Sequence, residues 1–196
     1  MYNLKKLTIS ELVFITTIST VMGVFWWAYT FIYDILSPFL RASGLEGGLT
    51  GIWLMGGLFF PYIIRKPGSA ILGEGIAAII EGVISQWGVG AILYGALQGI
   101  PVEIFFLILR YKRFDMKNMC IAGVISGVSG CLVSIYLYQY YKLGISYCLI
   151  QLASSAVSGI ILGGVLSKYL ADNLAKTGVL NQFNIVGAQY KSKLSN

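Results

Sequence analysis

The sequence is a succession of apolar runs, each long enough to cross a bilayer, and the connections between them carry most of its charge. That pattern leaves few folds open. In hydrocarbon every backbone N–H and C=O must find its partner inside the protein, so only helices and closed barrels can cross. The runs are about 17–25 residues long and lack the two-residue alternation of barrel strands, which selects helices. Only 11% of the 196 residues are charged and 57% are hydrophobic, whereas a soluble domain carries roughly 25% charged residues. The expected fold is an all-α integral membrane protein with one membrane domain.

Six spans are expected, over residues 9–35, 50–64, 69–85, 89–109, 119–141 and 145–170, followed by a polar tail over 171–196. Ser37-Pro38 is read as the break after the first span, and Pro101 as an interruption of the fourth. The first span follows Lys5 and Lys6 without a small-residue cleavage site, so it is read as retained rather than removed as a signal peptide. With six spans both termini share one side. That side holds Lys5, Lys6, Arg65, Lys66, Arg110, Lys112, Arg113, Lys117, Lys168, Lys176, Lys191 and Lys193, against Arg41 and Lys142 on the other. The excess of basic residues predicts both termini in the cytoplasm, and a bundle of this kind suits a bacterial inner membrane.

Several function classes drop out. The net charge of +6 is distributed among the connections as an orientation signal, so no nucleic-acid partner is expected. The chain contains no histidine, the commonest general base and metal ligand, and neither a metal, a cofactor nor a catalytic set is expected. Cys120, Cys131 and Cys148 are scattered through apolar runs and read as small buried hydrophobes. No G-x-x-x-x-G-K-[ST] motif occurs, so any ATP-driven motor must be another subunit.

The third and fourth spans hold the side chains that hydrocarbon penalises most: Glu74, Glu81, Gln98 and Glu103. Glu74 and Glu81 are seven residues apart and project from one helix face. Tyr94 and Gln98, one turn apart, share a face of the fourth span, whereas Glu103 lies about 140° round from Gln98 and is assigned a structural role. The expected solute pocket is therefore built from Glu81, Glu74, Gln98 and Tyr94. Trp26, Trp27, Trp53 and Trp87 all map to the ends of spans away from the basic side, and Tyr136 joins them. An aromatic belt would occupy both interfaces, so this asymmetry favours an aromatic mouth lined by Trp53, Trp87, Trp27 and Tyr136. Small residues four apart (Ser19/Gly23, Gly95/Gly99, Gly123/Gly127, Ser155/Gly159, Gly159/Gly163) allow close helix packing, and Ser19/Gly23 is the expected docking face for a membrane partner.

Trp53, the Ile64-Arg65-Lys66-Pro67-Gly68 turn, Glu74, Glu81, Gln98-Gly99, Glu103 and the closing Thr177-Gly178-Val179-Leu180-Asn181 occur in an order that resembles the YkoE family. Its members are substrate-binding S components of energy-coupling-factor (ECF) vitamin transporters. The resemblance covers about residues 48–181. It implies a six-helix S-component bundle that captures thiamine or its hydroxymethylpyrimidine moiety from the outer side. It also implies a transmembrane coupling protein and ATPase subunits as partners within the bilayer. Related S components dock through Ala-x-x-x-Ala on the first helix, which Ser19 and Gly23 would replace here. The alternatives are an S component for another small vitamin, and a stand-alone carrier using Glu74 or Glu81 as a proton relay.

Overall fold

The computed structural model describes residues 6–186, so Lys5, Lys191 and Lys193 of the basic set lie outside the described residues. Helix α1 spans Ile9–Arg41. Its start is fixed by a capping box: Glu11 N donates to Thr8 Oγ1 at 3.4 Å, while Thr8 N donates to Glu11 Oε2 at 2.8 Å. Pro38 does not end α1, as the sequence had implied. It sits in the last turn, where the N–H it lacks costs a single bond to the preceding turn, and the helix continues to Arg41.

The chain then enters a ten-residue 3₁₀ segment, Leu45–Leu54, which leads directly into α2, Met55–Ile64. Such long 3₁₀ runs are uncommon, and here the neighbouring helix α6 (Ile145–Ser158) holds the segment in place. Gly51 N donates to Ser158 Oγ at 2.9 Å and Ser158 Oγ donates to Gly48 O at 2.7 Å. A Cβ on Gly47 would stand 2.7 Å from Gln151 O, so glycine is needed for the approach. Every residue of α2 is buried; the glycine-interrupted second span is the central pillar of the bundle.

Around it stand α3 (Ser69–Ile84), α4 (Val89–Ile108) and α5 (Met116–Leu137), with a short 3₁₀ turn over Tyr140–Leu143 before α6. Pro101 lies within a continuous α4. The last helical stretch passes from α6 through a π-helical segment, Gly159–Val165, into α7, Leu166–Lys176. The final stretch thus reaches six residues beyond its expected end, and the fifth span begins and ends earlier than expected. No strand occurs among the described residues. Among the described residues, five stretches are long and apolar enough to cross a membrane: Ile9–Arg41, Leu45–Ile64, Val89–Ile108, Met116–Leu137 and Ile145–Lys176. At 16 residues, α3 is shorter than these. Large apolar side chains on the outer surface, such as Val89 at 80% and Phe39 at 77% exposure, fit a lipid surround.

Packing is uneven along the bundle. At the end bearing Arg65 and the α4–α5 loop, Phe60, Ile63, Ile64, Phe106 and Phe114 form a dense core. The segment after α7 is not simply a polar tail. It folds back so that Leu180, Phe183 and Ile185 join that core, and Asn184 Nδ2 donates to Ile64 O at 2.6 Å. Glu103 belongs to this end. It accepts from Gly68 N at 2.8 Å and Ala70 N at 3.1 Å, satisfying the open N–H groups at the start of α3, and from the Tyr111 hydroxyl at 2.5 Å. Burial, together with the Glu103 carboxylate, raises the Tyr111 pKa and keeps its hydroxyl protonated. At the opposite end of the bundle, the helices part.

Candidate functional site

The opening at that end is a cavity of about 390 Å³ with walls from α1, the 3₁₀ segment, α3, α4, α5 and α6. Six of the residues selected from the sequence line it: Glu81, Glu74, Trp53, Gln98, Tyr94 and Trp87. The seven-residue spacing of Glu74 and Glu81 thus turns both into one space. Glu74 is 1% exposed, and its Oε2 accepts from Gly57 N at 2.6 Å. Glu81 Oε1 accepts from Trp53 Nε1 at 2.7 Å. Trp53 in turn sits edge-on to Tyr29 and Tyr33, with ring centroids 4.8 and 5.2 Å away, and Tyr33 meets Trp87 at 6.0 Å. Across the cavity, the Tyr94 hydroxyl lies 3.0 Å from Ser134 Oγ. Gln98 lies flat against α5, where a Cβ on Gly130 would stand 2.5 Å from its Nε2.

Four expected positions fall elsewhere. Trp27 is half-buried on α1 against Phe31 and does not line the cavity; its neighbour Trp26, about 100° away around the helix, does. Tyr136 is 76% exposed, and Tyr138 lines the cavity. In both cases the sequence places the aromatic residue at the right height on its helix, but the wrong one of a close pair faces inward. Ser19 and Gly23 are buried inside the bundle, not offered to a partner: a Cβ on Gly23 would stand 2.5 Å from Ala77 O of α3. Other small-residue pairs also serve internal packing, as where a Cβ on Gly127 would meet Ser155 O at 2.5 Å.

The structure adds a polar group that the sequence reading missed. Arg41 and Glu46 pair through Nε–Oε2 at 2.9 Å and Nη2–Oε1 at 2.6 Å, a fork-to-fork geometry. Tyr33 also donates to Glu46, and the Tyr140 hydroxyl reaches it at 3.3 Å. Burial beside this carboxylate raises the Tyr140 pKa. Glu46 lies beyond the 50–64 span in a glycine-rich stretch that reads as an exposed loop, so its burial was hidden. Gln151 carried a usable signal, a lone amide in an apolar run of the kind that singled out Gln98.

Chemically, the cavity is acidic and incompletely bonded. Among the described residues, its lining includes Glu46, Glu74 and Glu81 against a single cation, Arg41, which Glu46 already engages. Four buried polar atoms on lining residues have no protein partner: the acceptors Glu74 Oε1 and Gln151 Oε1, and the donors Trp26 Nε1 and Trp87 Nε1. Leaving such groups unpaired costs about 1–3 kcal/mol each. A ligand with both donors and acceptors on a flat ring would satisfy them.

The chain is similar to known membrane-transport proteins. Residues 10–129 match the family described as "ABC-type cobalt transport system, permease component". A curated relative from Bacillus subtilis (strain 168), named as an HMP/thiamine permease protein, YkoE, is 32% identical over 191 residues, covering 97% of this chain and 95% of the relative. A crystal structure of an S-component of an ECF transporter superposes with a TM-score of 0.88 at 31% identity, covering 97% of this chain and 96% of that one.

Proposed function

Because this chain belongs to the YkoE family, whose relatives are ECF S components and not enzymes, we propose that its cavity captures thiamine or the hydroxymethylpyrimidine moiety of thiamine. The observation that carries the reading is the buried Glu74 carboxylate, with one oxygen bonded to Gly57 N and the other without a protein partner in an acidic, aromatic-walled cavity. An exocyclic amine on a pyrimidine would donate to Glu74 Oε1, and its ring nitrogens would accept from an indole N–H. The thiazolium of thiamine is a cation, and Glu81 with the Trp53, Tyr33 and Trp87 rings offers both charge and ring faces. Among the described residues no three His, Cys, Asp or Glu side chains form a group able to hold a metal, so the pocket suits an organic solute better than cobalt.

The solute enters from the outer side of a six-span, single-domain bundle with both termini in the cytoplasm. The excess of basic residues on the terminus-bearing side supports that orientation. A coupling protein and ATPase subunits supply the energy, since this chain has no P-loop. Ser19 and Gly23 being buried, docking uses the exposed face of α1, where Val21, Val24 and Phe25 point outward.

The test is a tryptophan-fluorescence titration of the purified chain with thiamine and with hydroxymethylpyrimidine separately. Saturable quenching by either compound supports the assignment, and the tighter of the two names the solute. A folded protein that responds to neither refutes it.

A further inference from the structure

The loop between α4 and α5 is strongly basic. Arg110 and Tyr111 both adopt φ of 53°, a left-handed conformation that non-glycine residues take only when their surroundings enforce it. The enforcement comes from two inward anchors. The Tyr111 hydroxyl donates to Glu103 at 2.5 Å, and Phe114 stacks on Phe106 with centroids 4.8 Å apart beneath the Arg65 guanidinium. With these two rings turned in, Arg110, Lys112 and Arg113 are splayed outward, and Lys117 joins them from the first turns of α5. The acid in the loop, Asp115, is engaged by Asn118.

Immediately beside these cations the surface turns apolar: Ile108 is 73% exposed on α4 and Met116 43% exposed on α5. The cations therefore sit at the rim of the exposed apolar band. We propose that this rim is a binding surface for anionic phospholipid headgroups. The continuity of the cations with the exposed apolar band selects a lipid, whose phosphate and acyl chains would meet the two zones together. An acidic soluble partner would have no use for the apolar zone.

The test is native mass spectrometry of the full chain in detergent, titrated with phosphatidylglycerol and phosphatidylcholine of identical acyl chains. The wild type should retain phosphatidylglycerol preferentially, and raising the salt before transfer should erode the preference. Each cation near an anionic surface is worth roughly fivefold in affinity. The variant Arg113→Gln/Lys117→Gln, which leaves the Tyr111 and Phe114 anchors intact, should therefore lose roughly 25-fold. Solute binding should be unchanged. Equal retention of the two lipids by the wild type would overturn the proposal, as would undiminished retention by a double variant that melts like the wild type.

Discussion

Glu74→Gln separates a binding carboxylate from a structural one. The native carboxylate offers two acceptor oxygens; Oε2 takes the Gly57 N–H at 2.6 Å, and Oε1 has no protein partner. A glutamine amide has one acceptor and one donor group. In either rotamer it can accept from Gly57 or from a solute amine, but not from both. The substitution is nearly isosteric, so packing against Gly56, Gly57 and Gly99 stays as it is. What disappears is one charge-assisted hydrogen bond, about 1.5–3 kcal/mol, equivalent to a roughly 10- to 150-fold rise in Kd. The assay is quenching of Trp26, Trp53 and Trp87, which line the cavity, by thiamine, with thermal melting of the same samples as the folding control. A Kd within about twofold of wild type, at an unchanged melting temperature, would mean that no solute donor meets Glu74, and the binding argument would fail at its centre. A melting temperature that drops while affinity holds would make Glu74 purely structural.

Four other outcomes are expected. Glu81→Gln should weaken thiamine binding more than hydroxymethylpyrimidine binding, because only thiamine carries the thiazolium charge; equal losses in parallel titrations would count against that placement. Trp26→Phe should reduce both affinity and quenching while Trp27→Phe changes neither, since only Trp26 lines the cavity; the reverse pattern would invalidate the helix phase. Glu103→Gln turns one acceptor oxygen into an amide NH2, so either Gly68 N and the Tyr111 hydroxyl or Ala70 N and Ile71 N lose their acceptor; stability should fall by at least about 1–3 kcal/mol, read as a lower melting temperature with Kd unchanged in the folded fraction. Gly23→Ala would press a Cβ to 2.5 Å from Ala77 O and should cost about 1–3 kcal/mol by forcing α1 from α3; a variant as stable as wild type would reopen that face for docking.

The corrections share one physical origin. Hydropathy locates a residue along a helix, and the identity of its neighbours says little about its azimuth when almost every side chain is apolar. Trp26 and Trp27 are equally hydrophobic, and only packing against α3 decides which faces the cavity. The same ambiguity let Ser19 and Gly23 read as an outward face, because a small-residue pair serves any helix that comes close. Pro38 misled for another reason: its signal marks a missing N–H, and near a helix end that loss does not terminate the helix.

The sequence by itself determined the helical membrane class, because only internally bonded backbone survives in hydrocarbon. It also singled out Glu74, Glu81 and Gln98, because polar side chains are costly there and stand out against an apolar background. The YkoE-type order of motifs was legible for the same reason. Tertiary structure alone decided that Glu46, Arg41 and Gln151 belong to the cavity wall, since their approach depends on a 3₁₀ segment seated against α6 through Ser158. It also decided that Glu103 caps α3 and that residues 177–186 close the opposite end. Those contacts join residues between 33 and 120 positions apart, and no local pattern in the chain encodes a meeting at that separation.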